Sequence, residues 1–572
     1  MSLFSSLNLA RLALGAHQTA IQTVGQNIAN AGTEGYARQR VQMAPTPSDD
    51  LVYARLGTGV RVERIERIVD EHLEATLRGA NSDLASLSER SRVYSLVESV
   101  FNDLNGGGLS EALGRFFDAL EDVANQPEDT TARGQLLEQA ETLAQTFNYV
   151  DGRLRQLRRD FDDDVVSVTQ NINRLANVVA NLNNRIVEAE DGGVHPGTAN
   201  DLRTQRDAAL TQLSQLVNIK TIENTRGAVQ VISGSQVLVF ESSARAVNSA
   251  AESDGDISFH ELRFELDGQP FRPTGGRIAT LLEARDELAP ELRASLDTLA
   301  RSVMSEMNKL HASGEGLARP ASVRSAFSVA DADAALGAAG YPYAITNGRL
   351  SLEVVLGGDG SRETYEFDID ATGATGNATS LNALVAAINS GAGADHPELS
   401  ARVTVDGFLE IRSTSETLSF TFRADDTGFL AATGINALFS GTNARDMQVA
   451  APVAADARLF AAGLGGGVGD NRVALAMLEL RDAQLLGPAE QNFESYYNSL
   501  IGEIGIEGAE AQELLSSQEA IQASIQNQRD ALSGVNVDEE AIALIQFQRA
   551  YQGAARFLNV VDRLLETLIN SV

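Results

Sequence analysis

Apolar residues at the start of the chain recur at alternating steps of four and three: Leu3, Leu7, Ala10, Leu14, His17, Ile21, Val24 and Ile28. That is the a/d repeat of a helix that packs along one seam. At 1.5 Å per residue, segment 3–28 makes a helix of roughly 39 Å. Asn30-Ala31-Gly32 ends it, with Gly32 able to supply a left-handed cap. The same repeat closes the chain. Val537, Leu544, Phe547, Tyr551, Ala554, Leu558, Val561, Leu565, Leu568 and Val572 lie on a seam that Glu540 alone interrupts. Asp538-Glu539-Glu540 occupies the opening turn, where acids favour the positive end of the helix dipole. Neither helix can cover its own stripe, and each large apolar residue there contributes roughly 1.5–3 kcal/mol once buried. The other end of the same chain is the simplest partner. A neighbouring subunit is a second, and packing of both helices onto one globular core is a third. An antiparallel pair would set Leu558 near Leu14 or Ile21.

Between the ends the pattern changes several times. Residues 41–62, with Pro45, Pro47 and Gly57-Thr58-Gly59, predict an extended linker or hairpin. From about 63 to 216 the spacing predicts helix, with Ile65, Ile68, Val69, Leu73 and Leu77 on one face and a break at Asn105-Gly106-Gly107-Gly108. A long helix over about 133–190 ends at Asp191-Gly192-Gly193. Val229, Val231, Val237 and Val239 alternate about Gly234 as in a hairpin, inside a β segment at 218–273. Helix returns at Arg277–Ala312. A second β-rich insert follows at 318–446, in strand-strand-helix-strand-strand order, with its helix at Ser380–Ser390 and a tight turn at Asp406-Gly407. Helix then runs from about 471 to the end, broken near Gly502–Gly508.

The fold class expected is mainly α with β-rich inserts. Residues 1–45 and 532–572 form a discontinuous terminal coiled-coil domain. Residues 46–217, 274–317 and 447–531 form a helical rod domain, 218–273 a small β insert, and 318–446 an outer β-rich insert domain. A chain of 572 residues has room for about three or four domains of ordinary size.

Charge sharpens this division. The formal charge is 45 − 78 = −33, which repels nucleic acid and anionic membrane. Residues 1–45 carry three arginines and one glutamate, and residues 532–572 three arginines and five acids. These cancel, so the middle of the chain holds the whole excess. There is no cysteine, and Lys220 and Lys309 are the only lysines, neither after a glycine, so disulfides, thiolate chemistry and a Walker A loop are excluded. No signal-peptide pattern and no apolar run of about 18 residues is found. Those criteria predict a cytoplasmic protein, but an uncleaved N-terminal export segment would escape them.

No catalytic, cofactor-binding or metal-binding set emerges. The six histidines, His17, His72, His195, His260, His311 and His396, have no metal-ligand spacing. His17 sits on the seam, which favours packing. The run Asp160–Asp164 and the pair Asp331 and Asp333 lack the spaced ligands of a calcium loop and read as solvated acidic faces.

Asn27-Ile28-Ala29-Asn30, Thr33, Gly35-Tyr36 and Arg38-Gln39 resemble the N-terminal signature of the bacterial flagellar rod, hook and hook-associated proteins. Ser533-Gly534-Val535-Asn536-Val537-Asp538-Glu539-Glu540, followed by Gln546-Phe547-Gln548-Arg549-Ala550-Tyr551-Gln552, resembles the C-terminal end of the hook-associated members. Three interior elements are similar as well: Leu202-Arg203-Thr204-Gln205-Arg206-Asp207, then Asn308 with His311 and Gly314, then Gly469-Asp470-Asn471-Arg472. The resemblance spans the chain apart from about 325–445.

It implies a structural, non-enzymatic junction protein between hook and filament, secreted into the flagellum by a type III route and cytoplasmic before export. The implied partners are further copies of itself in a ring or layer, the hook protein, a hook-filament junction partner, and an export chaperone on the C-terminal segment; neither nucleic acid nor membrane is among them. The expected assembly seam is Leu7, Leu14, Ile21, Val24, Ile28, Leu544, Phe547, Tyr551, Leu558, Val561, Leu565 and Leu568. The family-motif residues are Asn27, Asn30, Thr33, Gly35, Tyr36, Ser533, Gly534, Asn536, Asp538 and Glu539. Two alternatives stand beside this: another flagellar axial protein of the hook or filament end, and a secreted enzyme or binding protein acting through the 318–446 insert.

Overall fold

The computed structural model describes all residues except 1–2, 34, 52–53, 102–107, 256, 358–359, 375–377 and 572. The chain divides into two units, one of residues 1–93, 159–286 and 508–572, the other of 94–158 and 287–507. Mostly helical, with several small antiparallel sheets, it has the expected fold class.

In the first unit the N-terminal helix Leu3–Ala29 packs on the C-terminal helix Val537–Ser571. A hairpin of Gln39–Pro45 with Val60–Arg67 follows the N-terminal helix. The helix expected from residue 63 starts later. Ile65 is in a strand, opposite Val41, because Val60-Arg61-Val62 alternates with period two. The helix Glu71–Phe101 begins where Asp70 Oδ1 accepts the N–H groups of His72 (2.9 Å) and Leu73 (3.1 Å). Strands Lys220–Glu223, Val229–Ser233, Gln236–Phe240 and Ser243–Ala244 make a four-stranded sheet in sequence order, and Val247–Ser253 pairs with Ser258–Phe264. Gly234 (φ 58°) makes the turn in the second hairpin. The acidic run is not a solvated face throughout. Asp162 is buried against Arg285 (2.7 Å) and His260 (2.7 Å), and these partners hold its carboxyl below the usual range against the opposing effect of burial.

The long helix spans Thr130–Ala189. The expected break at 105–107 lies outside the described residues, and Gly108 precedes the next helix, Leu109–Asn125. The helix expected over 277–312 holds a π turn at Ala284–Leu288, just before Pro290, which has no N–H to continue the ladder. No break occurs near Gly502–Gly508, where Phe493–Ser533 runs through as one helix. The interruptions fall instead at 480–492 and 534–536. At Gly534 an added Cβ would lie 2.3 Å from the Asp530 carbonyl oxygen, so only glycine closes that helix end.

The second unit has a helical core in which Phe116, Phe147, Leu296 and Met304 are fully buried. Its β insert has a separate hydrophobic cluster that includes Leu350, Ile388, Leu409 and Phe420. Strand Gly348–Leu356 lies between Arg362–Ile369 and Leu418–Asp425, and Leu409–Ser413 between Ser322–Arg324 and Leu399–Val403. Leu350 to Val355 are buried on both faces, although the sequence alternates. Glu353 tolerates this burial because Arg362 pairs with it at 2.5 Å. Ser380 caps the Leu381–Ser390 helix by accepting the Ala383 N–H at 3.2 Å.

Candidate functional site

The terminal helices run antiparallel: Asn27 meets Glu540, and ten residues back His17 meets Phe547, with ring centroids 6.3 Å apart. Continued residue for residue, this register sets Leu558 level with about residues 6–9, nearer Leu7 than the expected Leu14 or Ile21. The most buried line on the N-terminal helix is Ala10, Ala16, Ala20, Thr23, Val24 and Asn27. Leu7, Leu14, Ile21 and Ile28 flank it, half-buried. Small residues at the centre let the helices approach closely. The other side of the helix meets the hairpin, where a Cβ on Gly59 would sit 3.4 Å from Leu12. On the C-terminal helix Val561 is buried, Leu544, Phe547, Leu558 and Leu565 are half-buried, and Tyr551 and Leu568 are exposed. A second apolar line, Ile542, Ile545, Phe557, Val560 and Leu564, is exposed in the single chain.

One end of this pair is fastened by a polar clasp. Asn27, wholly buried, uses its full hydrogen-bonding capacity. Its Oδ1 accepts from the Gln39 N–H and the Tyr36 hydroxyl, both at 3.0 Å. Its Nδ2 donates to the Gln39 carbonyl (2.8 Å) and to Glu540 Oε2 (2.9 Å). Glu540 is also paired with Arg38 Nε at 2.7 Å, while Arg38 Nη1 reaches Glu539 at 3.0 Å and the Arg38 N–H donates to the Ser533 carbonyl at 2.8 Å. Arg529 donates to the Gly35 carbonyl (3.1 Å) and pairs with Glu74 (3.0 Å). Gly35 has φ 77°, the left-handed region. Burial, with the nearby charges of Asp201 and Glu540, pushes the Tyr36 hydroxyl up to about 12.

The remaining motif residues act locally. Asn30 accepts the Thr33 N–H on its carbonyl (2.9 Å) and donates to the Gln26 carbonyl (2.9 Å). Asn536 Oδ1 accepts the Asp538 N–H at 3.0 Å and so caps the C-terminal helix. Asp538 is exposed in the first turn. Glu540, Arg38, Arg529 and Glu74 were absent from the expected site. The signal was Glu540 itself, the one charge in an apolar seam, which must find partners when buried.

The interior elements are fasteners as well. Asn308 Oδ1 accepts the N–H groups of Leu438 and Phe439, both at 2.9 Å. His311 Nδ1 donates to the Asn436 carbonyl (2.7 Å), and its Nε2 accepts the Ala461 N–H (3.0 Å). Burial, with the Arg133 charge, brings this imidazole down to about 4. At Gly314 a Cβ would stand 2.8 Å from Ala461. These residues bind the two chain passages flanking the insert. Asp470 pairs with Arg472 (2.8 Å) and accepts from the Leu464 N–H (2.7 Å) and the Gly466 N–H (2.8 Å), which together lower its carboxyl strongly. Among the described residues no cluster of three or more His, Cys, Asp or Glu is placed to hold a metal, and no helix is long and apolar enough to cross a membrane.

Residues 94–321 match the model of the flagellar hook-associated protein FlgK helical domain, and 526–571 that of the flagellar basal body rod FlgEFG protein C-terminal. Flagellar hook-associated protein 1 of Bacillus subtilis is 26% identical over 586 residues, covering 100% of this chain and 99% of that protein. Over its full length the chain is similar to the flagellar hook-associated protein 1 family. Its Salmonella typhimurium member is 26% identical over 593 residues, with 99% of each chain covered. The solved flagellar hook junction protein FlgK from Burkholderia pseudomallei has the same fold, with TM-score 0.53 and 16% identity over 80% of this chain and 100% of that one. The clasp thus joins the two motif-bearing segments by which this chain resembles the flagellar proteins.

Proposed function

We propose that this chain is a structural junction subunit of the flagellum, set between hook and filament and assembled through its terminal helices. The observation that carries this is the antiparallel terminal pair. It is fastened at one end by Asn27, Arg38 and Glu540, and it leaves a second apolar line open on the C-terminal helix. An exposed seam of this length invites a partner. Full-length similarity to proteins named flagellar hook-associated protein 1 supports the axial location. Copies of the chain form a ring or layer, with hook protein on one side and a junction partner on the other. The 318–446 insert, which has its own core, stands outward as a separate module. Before export the same open C-terminal line is held by a chaperone, and the subunit then leaves the cytoplasm by the flagellar export route.

The test is replacement of the cell's own copy by Leu558→Asp. Leu558 is half-buried, so Leu558→Asp sets a carboxylate in an apolar seam. The subunit is made, its second unit folds, hooks stay uncapped, filament subunits appear in the medium, and cells do not swim. Leu558→Met conserves volume and leaves swimming intact. Normal motility of the Leu558→Asp strain would refute the assignment.

A further inference from the structure

Within the first unit a cleft of about 460 Å³ opens between the hairpin strand, the Glu71–Phe101 helix, the Asn200–Leu216 helix and strand Lys220–Glu223. Its acids are nearly all taken. Asp207 pairs with Arg67 at 2.5 Å, and Glu223 with Arg203 (2.9 Å) and Arg206 (2.7 Å). Glu74 pairs with Arg529 at 3.0 Å, and Glu66 with Arg40 at 2.7 Å. Among the described residues lining it only Glu71, exposed at the rim beside His72, remains.

Arg78 is the exception among the cations. It lines the cleft, is 8% exposed, and among the described residues has one hydrogen bond, from Nη2 to the neutral Thr221 hydroxyl at 3.1 Å. Two further guanidinium donors in the same wall, Arg67 Nε and Arg206 Nε, are buried with no acceptor. A buried cation without a counter-ion is strongly unfavourable. A guanidinium fork also matches a carboxylate or phosphate edge with two parallel hydrogen bonds. We propose that this cleft is an oxyanion site in which Arg78 takes a carboxylate or phosphate group. The anion is either free in solution or the side chain of an acid on a second copy of this chain, which carries 78 acidic residues.

The test uses the full-length chain, with potassium phosphate against potassium chloride at equal ionic strength. Calorimetric titration is expected to give saturable one-site binding, and phosphate to raise the melting midpoint by on the order of 1–2 °C. Arg78→Gln removes the charge but keeps a donor. It is expected to weaken phosphate binding at least about tenfold and to melt no lower than the parent in chloride. Sedimentation over a concentration series separates the sources. If the anion belongs to a second copy, phosphate and Arg78→Gln both weaken self-association; if it is a free ion, neither does. Should Arg78→Gln fail to fold, the parent chain still decides. A parent that shows neither saturable phosphate binding nor phosphate-sensitive self-association overturns the proposal.

Discussion

The β insert and the terminal helices solve the burial problem in opposite ways. The insert closes on itself: its central strand is buried on both faces, and the one acid there, Glu353, is neutralised by Arg362 from the neighbouring strand. The terminal helices stay open. Their seam is half-buried, their tightest contacts are polar and gathered at one end, and Phe557, Val560 and Leu564 face solvent. The lesson is that apolar content does not distinguish a domain from an assembly element; the fraction of it a single chain can cover does. A region with its own core keeps its structure alone, whereas a region with an uncovered line is completed by other chains.

The largest expected loss in the free subunit comes from the clasp. Glu540→Ala leaves one of the two buried Asn27 Nδ2 hydrogens without an acceptor, the other still bonded to the Gln39 carbonyl, and Arg38 without its closest partner. The cost should be about 3 kcal/mol, the low end for a broken buried pair, because Arg38 is partly in water. Hydrogen exchange should rise across both terminal helices and stay unchanged in the insert. Equal exchange in both regions would erase the distinction between them.

Acid should act on the second unit. The unfolded His311 side chain takes up a proton below its ordinary value near 6.5, but the folded one does so only near 4. The neutral imidazole therefore contributes its full stability above about pH 6.5, and this is lost as pH falls towards 4. The loss is about 3 kcal/mol at the lower limit. Thermal melts of His311→Gln against the parent should differ most at neutral pH and converge towards pH 4. A constant difference across that range would remove His311 as the cause.

The sequence made much of this legible, and its failures have physical causes. Terminal seams and the 60-residue helix are long periodic patterns, in which many residues report the same face. The clasp was half visible. Asn27, Tyr36 and Asn536 could be picked out, but the Asn27 partner Glu540 looked like an interruption, because pairing 513 residues away leaves no local mark. The register was missed because alternating steps of four and three fix which face is apolar and not which levels meet. The break expected at 502–508 failed because Gly502 and Gly505 sit on an exposed face of a continuous helix, where a Cβ added to either would stand in open space.

That position supplies a smaller test. Gly502→Ala and Gly505→Ala should each stabilise the subunit by about 0.4–1 kcal/mol, since alanine fits the helical backbone and restricts the unfolded chain. Denaturant midpoints should rise with an unchanged slope. A fall in either variant would mean that the chain bends there and that the helix is not continuous.

The smallest expected effect on the free subunit is at Phe557, and it separates folding from assembly. Phe557 is 41% exposed, so Phe557→Asp removes little that the single chain has buried. Its melting free energy should stay within about ±0.5 kcal/mol. In the assembled layer the same carboxylate would lie in an apolar contact, where an unpaired charge costs several kcal/mol. The variant should therefore fold, be exported and fail to cap hooks, whereas Glu540→Ala weakens the subunit first and assembly only through it. A third variant, Arg556→Ala, sits one residue along, on an exposed outer stripe with Arg549 and Arg563 seven residues to either side. If that stripe is merely solvated, its motility is normal; if it meets a neighbouring subunit, assembly weakens and becomes salt-sensitive. Normal capping by Phe557→Asp would mean that the open line stays in water in the flagellum, and the terminal pair would then be complete within one chain, as the insert is.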